Sequence, residues 1–184
     1  MPFIWIATPE RQERGLHLVV SSVQRVPEAS VDPAIENFNC LDLLGGLFEA
    51  LQTGADLPVL VDPRGDLTEG PGFNLFLMRG GRLATPTQGA LDGITRRTTI
   101  ELAGLLQIPV EVRTVARTEL AEADEVFVTS TAGGIIPSTR VDGAHSVEAA
   151  RARSPAVRAR PVGSGSLATS TRGGGSRIRS LSGG

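Results

Sequence analysis

The chain has 184 residues, is 40% apolar and carries a formal net charge of −2, which fits one ordinary globular domain and excludes a fibrous or wholly disordered protein. Its one cysteine, Cys40, cannot form an internal disulfide, and His17 and His145 show no metal-site spacing, so no zinc centre is expected. No basic stretch followed by an apolar one opens the chain and no apolar run is long enough to span a bilayer, so a cytoplasmic location is the default expectation.

In chain order, His17 to Val26 has the β-branched enrichment of a strand, and Pro27 ends it. From Leu41 the spacing predicts a helix with Leu44, Leu47, Phe48 and Leu51 on one apolar face and Gly54 as its C-cap. Gly45 and Gly46 weaken that helix and permit close approach of another backbone. Leu57 to Val61 reads as a short strand, followed by a turn at 62–66. Phe73 to Met78 and Arg82 to Thr85 form a predicted hairpin closed by Arg79, Gly80 and Gly81. Thr95 to Leu106 places Ile100, Leu102, Leu105 and Leu106 on one helical face. Pro109 to Val115 and Glu125 to Ser130 read as strands on either side of a short acidic helix, Glu119 to Asp124. The alternation predicts an α/β or mixed α+β domain.

Charge divides the chain. Residues 1–143 hold 11 arginines and 19 acids, a net of −8, whereas 144–184 hold 7 arginines and one acid, Glu148, a net of +6. That tail is rich in Arg, Gly, Ser and Ala and lacks aromatic residues, so it is expected to be disordered. The run at 171–180, TRGGGSRIRS, permits a reading as an RGG-like nucleic-acid tail. The stronger explanation is out-of-frame translation of a GC-rich gene, which yields this kind of abrupt compositional shift. All 18 basic residues of the chain are arginines, so no side chain can form a Schiff base.

Three polar, glycine-rich clusters interrupt the apolar elements where ligand sites collect. In residues 67–74, LTEGPGFN, the turn either presents Glu69 inward or leaves it solvated at the surface. At Gly93-Ile94-Thr95 a helix N-terminus with a hydroxyl can bind phosphate, or Thr95 simply caps the helix. After the strand ending at Ser130, the run Thr131-Ala132-Gly133-Gly134 either wraps an anion or makes a glycine turn.

Taken in order, LTEGPGFN, GITR and ADEVFVTSTAGGIIP closely resemble the successive signature segments of class IV aminotransferases, across roughly residues 10–143. The opening stretch at 17–39 is most similar to the (R)-selective amine transaminase and branched-chain branches. The resemblance implies the large, pseudo-barrel domain of that fold at 15–143, with 1–14 as the exit from a small N-terminal domain. It also implies pyridoxal phosphate as cofactor, a homodimer, and transfer of an amino group from an amine or amino acid to a 2-oxo acid. Glu69 would pair with the pyridinium nitrogen, Ile94, Thr95 and Thr131 would hold the phosphate, and Ser130, Ala132 and Gly133 would line the substrate side. In such relatives a lysine precedes the asparagine equivalent to Asn37; here that position is Glu36, while Leu41 and Asp42 keep the register. Covalent attachment and the proton shuttle are both lost with it, so the resemblance implies a chain of near-background activity that holds the cofactor non-covalently at best. The alternative is a non-catalytic protein that binds cofactor or associates with an intact paralogue.

Overall fold

The computed structural model describes residues 8–35 and 38–142. The predicted tail at 144–184 and the substituted position Glu36 therefore lie outside the described residues. Helix α1 (Pro9–Arg14), with Thr8 as N-cap, leads into β1 (Leu16–Gln24). Helix α2 (Leu41–Thr53) follows, then β2 (Leu57–Val61), β3 (Glu69–Gly70), β4 (Phe73–Arg79) and β5 (Arg82–Pro86). Helix α3 (Ile94–Leu105), β6 (Val110–Arg113), a 3-10 turn over Arg117–Glu122, β7 (Glu125–Ser130) and β8 (Gly134–Val141) complete the order.

The strands run β2-β1-β8-β7-β4-β5-β6, with β3 added on β4. Parallel pairing of β1 with β2 needs a crossover, and α2 supplies it. Antiparallel β4 and β5 are joined by Gly80 and Gly81 with φ of +55° and +76°, the two-residue turn whose twist suits a hairpin. Thr68 donates from both its N–H and its hydroxyl to the Leu60 carbonyl, which draws β3 towards β2. The result is a sheet curled into a half-barrel and flanked by helices, the α/β architecture expected from the sequence.

Alternation along β4 and β7 divides the core. Leu75 and Leu77 of β4, with Val126 and Val128 of β7, join β1 and β2 side chains in the larger cluster. Phe76, Met78 and Phe127 face the other way, against Ala103 and Ile100 of α3. Phe76 and Phe127 stack with ring centroids 5.0 Å apart, and each is fully buried, a gain of roughly 1.5–3 kcal/mol per side chain. Asn74 and Thr129 continue that second face as a cross-strand pair, so the sheet directs two buried polar side chains to the α3 side.

Several elements differ from expectation. Most of the predicted apolar face of α2 is turned outward: Leu44, Phe48 and Leu51 are exposed and Leu47 alone of that set packs on the core, while Asp42, Gly46 and Ala50 are buried. Gly46 explains this, because a Cβ there would stand 2.9 Å from Leu60 Cδ1 and 3.3 Å from Ser21 Oγ. The small-residue side of α2 thus lies close on β1 and β2. Likewise α3 buries Arg96, Thr99 and Ala103 and exposes Leu105 and Leu106. The acidic helix is a 3-10 turn that starts two residues earlier, and β6 is shorter than predicted. At the third cluster the glycine turn between two strands, one of the two readings open from the sequence, is what forms, and it leads from β7 into β8. No helix among the described residues is long and apolar enough to cross a membrane.

Candidate functional site

Glu69 is buried, at 6% exposure, which decides against the solvated turn. A two-residue strand suffices to place it: β3 pairs with β4 so that Glu69 stands opposite Asn74 and Gly70 opposite Phe73. Gly70 is required there, since a Cβ would fall 2.2 Å from the Pro58 carbonyl oxygen and from the Phe73 ring. Among the described residues, three donors meet the carboxylate. Arg25 Nη2 donates to Oε1 at 3.0 Å, the Leu91 N–H to Oε2 at 2.8 Å, and Asn74 Nδ2 to Oε2 at 3.5 Å. Asn74 also donates to the Leu91 carbonyl at 2.7 Å, tying β4 to the segment before α3.

Arg25 follows β1 and lies buried between two acids. Its Nη1 donates to Asp42 Oδ2 at 2.6 Å, the partner of the bond to Glu69. Burial disfavours the charged form of Asp42, yet the Val26 N–H, the Arg25 guanidinium and the Leu43 N–H hold its pKa below the ordinary value. Burial likewise opposes the charge on Arg25, and Asp42 and Glu69 outweigh it, raising its pKa. Among the described residues one guanidinium serves two carboxylates, and the formal charges of Asp42, Arg25 and Glu69 sum to −1.

Around Glu69 opens a cavity of about 320 Å³, at the lower end of the size usual for small-ligand sites. Glu69, Ile94, Thr95, Ser130 and Thr131 all line it, so the three clusters separated in sequence meet in space. Ala132 and Gly133 do not line it; they form the turn between β7 and β8, where Gln12 Nε2 donates to the Gly133 carbonyl. Thr95 is not the cap of α3. Gly93 is the N-cap, without a side-chain hydrogen bond, and Ile94 and Thr95 occupy the first two helical positions. Their backbone N–H groups belong to the set a helix leaves without intrahelical partners, and the dipole favours an anion there.

Arg25, Asn74, Leu91 and Thr129 also belong to the site and were not assigned roles from the sequence. A usable signal existed for Asn74, the one polar residue inside the apolar run FNLFLM. Thr129 Oγ1 is buried and has no hydrogen-bond partner among the described residues, although Thr129 lines the cavity. A buried orphan hydroxyl costs about 1–3 kcal/mol unless a ligand or water meets it. This hydroxyl, an uncapped helix N-terminus and a buried anionic group in one cavity suit a phosphorylated ligand bearing a cationic ring, as pyridoxal phosphate does.

Comparison with known proteins agrees. The family model described as amino-transferase class IV matches residues 4–141. A probable branched-chain-amino-acid aminotransferase of Thermotoga maritima is 39% identical over 132 residues, which is 71% of this chain and 48% of that protein. A putative one from Methanocaldococcus jannaschii is 36% identical over 133 residues, 71% of this chain and 46% of its own length. The crystal structure of the Escherichia coli branched-chain amino acid aminotransferase superposes with a TM-score of 0.77 at 36% identity, covering 85% of this chain and 52% of that one. The holo-form of the branched-chain amino acid aminotransferase from Thermobaculum terrenum gives 0.72 at 34% identity, covering 77% and 48%. The chain thus spans about half the length of the curated relatives it matches. Over the half that it spans, fold and sequence agree with one another, and the chain belongs to the class IV aminotransferases.

Proposed function

We propose that residues 15–143 form the cofactor-holding unit of a class IV transaminase, one that binds pyridoxal or pyridoxamine phosphate non-covalently and turns over amino groups at near-background rates. The observation that carries this reading is the convergence of Glu69, the α3 N-terminus and the end of β7 on one cavity. The lack of any lysine argues against covalent attachment, and Glu36 stands in sequence where relatives carry theirs. The ancestral reaction is amino transfer from an amine or amino acid to a 2-oxo acid, and a cytoplasmic location is part of the same proposal.

When bound, the cofactor supplies an electron sink for chemistry at the amine-bearing carbon. The chain's own residues do the holding. Glu69 keeps a proton on the ring nitrogen; the Ile94 and Thr95 N–H groups, with the Thr95 and Thr131 hydroxyls, bind the phosphate oxygens. Ser130 on the cavity wall, with Ala132 and Gly133 in the adjoining β7–β8 turn, would form the substrate side. Glu36 can accept a proton but cannot form an imine.

A second reading, association with another copy or an intact relative, is favoured by α2, whose Leu41, Leu44, Phe48 and Leu51 form an exposed apolar stripe. Equilibrium titration with pyridoxamine phosphate tests the main proposal. Saturable one-to-one binding without measurable amino transfer to 2-oxo acids is expected. Rapid transamination, or no binding at all, would overturn it.

A further inference from the structure

Glu69 can hold a proton on a ring nitrogen only if its negative charge is not already spent. Arg25 lies against it, and a simple Arg25–Glu69 pair would be electrically neutral. Asp42 changes the sum. Its carboxylate takes the other arm of Arg25 at 2.6 Å and is anchored separately by the N–H groups of Val26 and Leu43, each at 2.8 Å. It also sits in the first turn of α2, where the helix dipole favours a negative charge. Stability alone is a weak reason for such an arrangement, since buried ion pairs seldom outperform apolar replacements of equal volume.

We infer that Asp42 is a positioning residue for the cofactor's ring nitrogen: by compensating Arg25, it leaves the Asp42–Arg25–Glu69 group with the negative charge that Glu69 presents to a pyridinium N–H. The two carboxylates have separate tasks. Asp42, anchored by backbone, holds Arg25; Arg25, the Leu91 N–H and Asn74 hold Glu69 on the cavity wall. Removing the charge of Asp42 would neutralise the group while leaving Glu69 in place. Loss of cofactor affinity would then depend on whether the ligand has a ring nitrogen to protonate.

The inference rests on the cofactor reading above, and one experiment separates the two. The affinity of the whole chain is measured for pyridoxamine 5′-phosphate and for its analogue in which C–H replaces the ring nitrogen, in the parent, Asp42→Asn and Asp42→Glu proteins. The parent should prefer the nitrogen-containing ligand. Asp42→Asn should weaken that ligand about tenfold and the carbon analogue by no more than about twofold, the size expected for one charge-assisted hydrogen bond. Asp42→Glu, which restores the charge, should recover most of the preference. Because the readout is a ratio of two affinities on one preparation, partial unfolding of a variant cancels. Equal weakening of both ligands in Asp42→Asn, or a parent that does not distinguish them, would sink the proposal for Asp42 and leave the cofactor site intact. A parent that binds neither ligand would sink both.

Discussion

Gly93 and Asn74 meet so closely that no side chain can be added at Gly93: a Cβ there would lie 2.3 Å from Asn74 Oδ1. The backbone of Gly93 has φ −63° and ψ 143°, ordinary extended values, so the requirement is for space and not for an unusual conformation. Asn74 cannot easily give way, because its amide is buried and bonded to Leu91 and Glu69. The N-terminus of α3 is thereby held against the strand that carries the acid's partner.

Gly93→Ala is therefore expected to lower stability by about 1–3 kcal/mol, as overpacking at a filled site does. Thermal melts compared with an Ala substitution at exposed Gly104, where nothing lies within 4 Å of an added Cβ, check this. Equal melting temperatures for the two variants would show that Asn74 moves freely.

Glu36→Lys is expected to gain a protein-bound absorption with pyridoxal phosphate that borohydride fixes irreversibly, while the parent chain gains none. Mass spectrometry after reduction should place the adduct on residue 36. An adduct elsewhere, or none in a variant that binds cofactor, would remove Glu36 from the position the resemblance gives it.

Thr129→Val replaces a buried hydroxyl that has no partner among the described residues with a methyl group of the same shape. Stability should stay level or rise by up to about 1 kcal/mol, because no hydrogen bond is lost. Affinity for pyridoxamine phosphate should fall several-fold if the hydroxyl serves the ligand. A drop in melting temperature with unchanged affinity would mean that Thr129 is bonded within the fold and has no part in binding.

Acid should destabilise the protein through a defined set of carboxylates. Glu49 is held below its ordinary pKa chiefly by the Ser21 hydroxyl and Glu119 chiefly by Arg113; burial opposes the charge on Asp42 and Asp62, but their hydrogen bonds outweigh it. Each has a folded pKa below its unfolded one, so its contribution is present above the unfolded value of about 4 and is lost as pH falls through the folded value. Melting temperature should thus fall progressively below about pH 4, and Asp42→Asn should lose part of that dependence. An identical slope in the variant would show that Asp42 carries none of it.

The three segments LTEGPGFN, GITR and VTSTAGG were legible as candidates from their residue types, but each alone was ambiguous, and only their shared order, resembling class IV aminotransferase signatures, joined them into one site. Arg25 and Asp42 were not legible. Neither has a local signal: Arg25 ends a strand as an ordinary charge would, and Asp42 reads as a favourable first-turn acid. Their task appears only when chain folding brings residues 17 and 44 positions away against the same guanidinium.

The same division runs through the fold. Strand alternation in β4 and β7, the Gly80-Gly81 turn and the Gly54 C-cap are decided by neighbours a few residues away, so the sequence by itself determined them. Which face of α2 is buried was decided in three dimensions, where a short distance to Leu60 and Ser21 favours Gly46 over the larger residues. Periodicity records that a helix has a distinct face, whereas burial depends on which face fits the sheet. Likewise, local chemistry marked Glu69 as a candidate, but only the tertiary structure, by gathering Arg25, Asp42, Asn74 and the Leu91 N–H around it, made it a buried and fixed negative charge.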